Sequence, residues 1–115
     1  MTTRPTRLLK VVGDETRARI LERLAASGEL CVGALARQLG LTSSAVSQHL
    51  RLLRQAGLVR ANRRGCWVHY SLDGPRLARL ATQVGRWLGG LGAVEGQQRC
   101  TPCVRATRTG PRRES

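Results

Sequence analysis

A change of hydrophobic period at residue 58 constrains this chain more than any other feature. Before it, apolar residues recur at helical spacing; after it, they alternate. Val32 to Leu39 reads as a compact helix with Leu35, Ala36 and Leu39 on one face and Gly40 as its terminator. Thr42 is the next N-cap candidate, opening a helix from Ser43 to Ala56 that turns Val46, Leu50 and Leu53 inward; Gly57 closes it. Two short helices joined by Gly40-Leu41-Thr42 have the length and turn of a helix-turn-helix. Leu58–Arg63 and Cys66–Leu72 then read as two strands around an Arg64-Gly65 turn. In the second strand Val68, Tyr70 and Leu72 share one face, and Trp67, His69 and Ser71 the other. A hairpin directly after a helix-turn-helix predicts a mainly α (α+β) winged helix with a two-stranded wing.

The flanks supply the remaining helices. Asp14 followed by Glu15 places a capping carboxylate and a second acid in a positive first turn; Ile20, Leu21, Leu24 and Ala25 continue as an apolar stripe to a stop at Gly28. Upstream, Leu8, Leu9, Val11 and Val12 suggest a short helix ending at Gly13. Pro75 fits the first turn of a long last helix, on which Leu77, Leu80, Ala81, Val84, Leu88 and Leu91 form a one-sided stripe. The small core is already covered, so this stripe is expected to meet a second copy, giving a homodimer. From Leu91 onward Gly, Gln, Thr, Pro and Arg dominate. The expected organisation is therefore a DNA-binding and dimerisation domain over residues 1–91 and a flexible basic tail over 92–115 that carries Cys100 and Cys103.

Charge narrows the partner. In 115 residues, 20 Lys+Arg face 7 Asp+Glu, a net +13, and only Lys10 among the cations is not arginine. Such a balance predicts a polyanionic partner, nucleic acid or an anionic membrane face. No apolar run is long enough to span a membrane, and Met1-Thr-Thr-Arg-Pro has no secretory apolar stretch, so a cytoplasmic protein is expected. The four cysteines Cys31, Cys66, Cys100 and Cys103 then read as reduced thiols. With two histidines, few carboxylates and no G-x-S-x-G, P-loop or H-E-x-x-H pattern, the chain is not expected to be an enzyme.

The charge and the fold signal coincide. Between Glu29 and Asp73 there is no acidic residue, while Arg37, Arg51, Arg54, Arg60, Arg63 and Arg64 give this stretch +6. Acids confined to its flanks suit a face laid against phosphates. Thr42, Ser43, Ser44, Ser47, Gln48 and Arg51 point away from the apolar face of the second helix, where hydroxyls reach phosphates or base edges and Gln and Arg reach adenine or guanine. Arg63 and Arg64 at the wing tip are expected on the backbone of the minor groove. His49 has no partner histidine at i±3 or i±4 and reads as a packed or hydrogen-bonded side chain.

Asp14-Glu15-Thr16-Arg17, Glu29-Leu30-Cys31-Val32, Ser47-Gln48-His49-Leu50, Gln55-Ala56-Gly57-Leu58-Val59 and Gly65-Cys66-Trp67-Val68-His69-Tyr70 together resemble the ArsR/SmtB family over about residues 8–90. The resemblance implies a dimeric winged-helix repressor that releases an inverted-repeat operator on sensing a metal or metalloid ion. Arsenic-responsive members typically carry Glu-Leu-Cys-Val-Cys at the start of the first helix of the motif. Here the first thiol matches as Cys31 and the second position is Gly33. Trivalent arsenic and antimony are thiophilic and take about three thiolates. Cys100-Thr101-Pro102-Cys103 offers two, and the tail is long enough to bring them to Cys31 of either subunit.

The expected ligand set is thus Cys31, Cys100 and Cys103, with Cys31 alternatively a small buried side chain. Cys66 is read as structural or incidental. Zinc-type sensing in the family uses Asp and His on the last helix, and residues 74–91 contain neither. An alternative keeps the DNA module and makes Cys100 and Cys103 a disulfide- or persulfide-forming redox switch.

Overall fold

The computed structural model describes residues 4–93. Five helices and three strands follow in the order α1 (Thr6–Val12), α2 (Glu15–Ser27), β1 (Leu30–Cys31), α3 (Val32–Leu39), α4 (Ser43–Gln55), β2 (Val59–Arg64), β3 (Trp67–Leu72) and α5 (Gly74–Gly92). This is a winged helix-turn-helix.

The expected caps form. The Asp14 carboxylate accepts from the backbone N–H of Arg17 at 3.0 Å, and the Thr42 hydroxyl accepts from that of Ala45 at 3.1 Å. Gly40 takes the left-handed conformation (φ 69°) that closes α3 and lets the chain turn into α4 within three residues. At the end of α4, Gly57 (φ 83°) allows the N–H of Leu58 to bond back to the carbonyl of Leu53 at 3.0 Å. That bond draws Leu58 into the helix terminus, so the first wing strand begins one residue later than expected. The turn likewise falls at Gly65-Cys66, with Arg64 as the last residue of β2.

The sheet has three strands rather than two. The short segment Leu30–Cys31 pairs antiparallel with β3, Leu30 opposite Tyr70 and Cys31 opposite His69, and the strand order is β1-β3-β2. The pleat sends Val59, Leu72, Tyr70 and Leu30 toward the core, while Arg60, Asn62, Arg64, Trp67 and Cys31 belong to the opposite face.

Ile20, Leu24, Leu35, Val46, Leu50, Leu53 and Leu58 are fully buried and hold α2, α3, α4 and the base of the wing together. Each such side chain contributes roughly 1.5–3 kcal/mol relative to exposure. Of the α5 stripe, Leu77 and Leu80 pack partly on this core, whereas Leu88 and Leu91 stay 54% and 57% exposed. The helix-turn-helix and wing, together the head, are therefore held by their own core, and α5 completes that core only with its first turns. Gly92, expected as the first residue of the tail, still belongs to α5; residues 94–115, with Cys100 and Cys103, lie outside the described residues.

Candidate nucleic-acid interface

On α4, Ser43, Ser44, Ser47, Gln48 and Arg51 are all exposed, opposite the buried Val46, Leu50 and Leu53. Thr42 is exposed as well, but its oxygen is already committed to capping α4, which leaves its O–H free to donate. The second helix of the motif thus carries a continuous hydroxyl, amide and guanidinium face on a rigid support.

That support is braced from behind by a cluster the spacing did not reveal. An Arg17 guanidinium nitrogen stands 3.2 Å from Nδ1 of His49, and Arg17 Nε donates to the Val11 carbonyl at 2.7 Å. Asp14 Oδ2 lies 3.9 Å from the same His49 nitrogen. His49 is thus hydrogen-bonded and linked to α2, as its lack of histidine neighbours indicated. The backbone N–H of Arg17, and then the Arg17 charge, hold the Asp14 carboxyl below its ordinary value.

The wing carries contacts that the sequence does not announce. Arg63 and Arg64 are both exposed near the tip. Both acids that flank the acid-free stretch reach wing arginines. Glu29 lies beside the wing, its Oε1 and Oε2 each 3.1 Å from a guanidinium nitrogen of Arg64. Asn62 Nδ2 donates to Glu29 Oε2 at 3.2 Å and to Ser71 Oγ at 3.1 Å. Asp73, at the other flank, caps α5 through the N–H of Arg76 and places its second oxygen 3.9 Å from Arg60 Nε. Two of the six arginines of this stretch therefore face a carboxylate within the chain. Antiparallel pairing of β1 and β2 on either side of β3 brings Glu29 to Arg64, a contact 35 residues apart that no local pattern signals.

Among the expected thiols, Cys31 is half-buried at the N-cap of α3 and Cys66 is exposed at the wing tip. Cys31 borders a cleft of about 400 Å³ with Val32, Gly33, Arg37, Trp67 and Val68. A Cβ placed on Gly33 would lie 4.0 Å from Cys31 Sγ and 3.7 Å from the Arg37 guanidinium, ordinary contact distances. His69, the register partner of Cys31, has a buried Nδ1 without a hydrogen-bond partner among the described residues. No three His, Cys, Asp or Glu side chains among the described residues gather into a metal-ligating set. Cys100 and Cys103 lie outside these residues.

A rigid helix-turn-helix, an exposed polar face on its second helix and an arginine-bearing wing define a winged-helix DNA-binding regulator. A family model described as bacterial regulatory protein, arsR family, matches residues 14–61. The arsenical resistance operon repressor of Escherichia coli (strain K12) is 40% identical over 80 residues, covering 70% of this chain and 68% of that protein. The arsenic resistance transcriptional regulator ArsR1 of Pseudomonas putida is 36% identical over 96 residues, 82% of this chain and 69% of that one. Among solved structures, the AntR antimony-specific transcriptional repressor is 37% identical with a TM-score of 0.55, covering 72% of this chain and 76% of its own. The chain belongs to the ArsR family of transcriptional regulators, a family of DNA-binding proteins and not of enzymes.

Proposed function

We propose that this regulator is a homodimeric repressor that holds an inverted-repeat operator and releases it on binding trivalent arsenic or antimony through Cys31, Cys100 and Cys103. The observation that carries the reading is the placement of Cys31. It is a half-buried thiol opening α3, beside a cleft roomy enough for a metalloid and further thiolates. The names of the relatives, arsenical and arsenic resistance regulators and an antimony-specific repressor, support the same class of inducer.

The chemistry is a ligand exchange. A trivalent metalloid acid trades its hydroxyls for thiolates, each thiol proton leaving with a hydroxyl as water. Capture joins the segment that carries Cys100 and Cys103 to Cys31 at the start of α3, whose far end Gly40-Leu41-Thr42 connects to the reading helix α4. A clamp at that point favours a dimer geometry that fits two half-sites poorly, and the operator is released by that difference in affinity.

Thr42, Ser43, Ser44, Ser47, Gln48 and Arg51 take the major groove, and Arg63 and Arg64 the flanking backbone. Pairing of two copies is supported by an apolar groove between α1 and α5, lined by Leu8, Leu9, Val12, Leu77, Leu80 and Val84 among others. Leu88 and Leu91, further along α5, are exposed apolar side chains as well. No helix among the described residues is long and apolar enough to cross a membrane, in keeping with action on DNA in the cytoplasm.

Operator mobility shifts with arsenite, antimonite, zinc and peroxide side by side test the reading. Release by arsenite or antimonite and not by zinc supports it. Release by peroxide with both metalloids inert replaces it with a thiol-redox switch at Cys100 and Cys103.

A further inference from the structure

We infer that Glu29 is an affinity-setting residue: its carboxylate competes with DNA phosphate for the wing arginine Arg64. The inference rests on the proposed role of Arg64 as a backbone contact and adds a built-in competitor for it.

Three observations carry it. Glu29 is the acid that opens the otherwise acid-free stretch, yet the β1–β3–β2 pairing brings it onto the wing face, with both oxygens 3.1 Å from an Arg64 guanidinium nitrogen. The carboxylate is held from the other side, since Asn62 Nδ2 donates to Oε2 at 3.2 Å and is itself fixed on Ser71 Oγ. Finally, the arginine is much the more exposed partner, 64% against 26% for Glu29. The anion is thus anchored at the wing base and the cation is free to swing between it and an incoming phosphate.

Arg63, whose side chain forms no ion pair among the described residues, has no such competitor. Arg60 meets Asp73 at only 3.9 Å, a longer contact with a carboxylate that is also serving as the α5 cap. Glu29 is therefore the place where the chain restrains its own grip on phosphate. An exposed pair of this kind is weak, which makes it suitable for trimming affinity without abolishing it.

The test is a double-mutant cycle of Glu29→Gln and Arg64→Gln on the full-length protein, with dissociation constants for operator and random duplex measured across a salt series. Gln at position 29 retains an oxygen for Asn62 and loses only the charge. Glu29→Gln is expected to tighten both duplexes two- to fivefold and to steepen the logarithmic salt dependence by up to about one. In the Arg64→Gln background the same change is expected to do nothing. If Arg64→Gln alone lowers the salt slope but Glu29→Gln leaves affinity unchanged or weakens it, the wing contact stands and the competition is wrong. If Arg64→Gln leaves affinity and slope untouched, the wing contact itself is wrong and the competition falls with it. An equal gain from Glu29→Gln in both backgrounds shows a general charge effect and also overturns the inference.

Discussion

The Arg17 guanidinium meets Nδ1 of His49 at 3.2 Å and joins α2 to the concealed side of the reading helix. The same arginine holds the carbonyl of Val11 at the end of α1. One side chain thereby ties three helices together behind the exposed Ser47, Gln48 and Arg51. His49→Ala should cost about 0.5–1.5 kcal/mol of stability, the worth of a part-buried hydrogen bond. Operator affinity should fall, since a loosened α4 must be re-ordered on binding. Urea unfolding and operator titration of the same variant check both.

Asp14 gives this corner a pH dependence. Its carboxyl titrates below the ordinary 3.8 because the Arg17 N–H, and then the Arg17 charge, stabilise the ionised form. A depressed carboxylate contributes stability above its unfolded value and loses it as pH falls through the folded one. Stability should therefore decline on acidification below about pH 4. Asp14→Asn, which keeps a capping oxygen but cannot titrate, should flatten that part of the profile. Identical acid profiles for the two proteins would remove the assignment.

Dimerisation has a direct structural test. Val84 and Leu88 lie on the part of α5 beyond its contact with the core, Leu88 at 54% exposure. Changing both to Glu should leave the head folded and convert the proposed dimer to a monomer that has lost most of its operator affinity, because two half-sites need two heads. Leu53→Ala, inside the core, should instead cost about 2–5 kcal/mol of stability. Sedimentation and thermal unfolding separate the two classes of variant.

Much of the head is legible in the chain because its signals are local. Gly40, Thr42 and the Val46–Leu50–Leu53 spacing define the two helices of the motif to within a residue, since caps and periodicity act over one turn. What escapes is long-range or short. β1 is two residues long, too brief for any alternation, and it becomes a strand only because β3 is there to pair with it. The approach of Glu29 to Arg64 depends on that pairing, so no local pattern around either residue announces it. Leu58 carries a strand-like environment yet belongs to the α4 terminus, through a backbone bond that its side chain does not announce.

On the reading helix, Arg51 should distinguish base contact from phosphate contact. If Arg51 reads a base, replacing it with Ala costs about 1–3 kcal/mol more on operator than on random duplex. If it holds phosphate, the loss is equal on both, and the logarithmic salt slope drops by roughly one. Parallel titrations on the two duplexes at several salt concentrations decide between them.

In the proposed mechanism, the Cys31 thiolate of the head and the Cys100 and Cys103 thiolates together turn metalloid binding into operator release. That mechanism is tested most directly by arsenite and antimonite titrations of the preformed operator complex, with the wild type compared against Cys31→Ser, Cys66→Ser, Cys100→Ser and Cys103→Ser. All four variants should bind operator as the wild type does. Release should be lost in the Cys31, Cys100 and Cys103 variants and kept in the Cys66 variant. Operator release by Cys31→Ser at wild-type metalloid concentrations would rule out a site that joins head and tail thiolates.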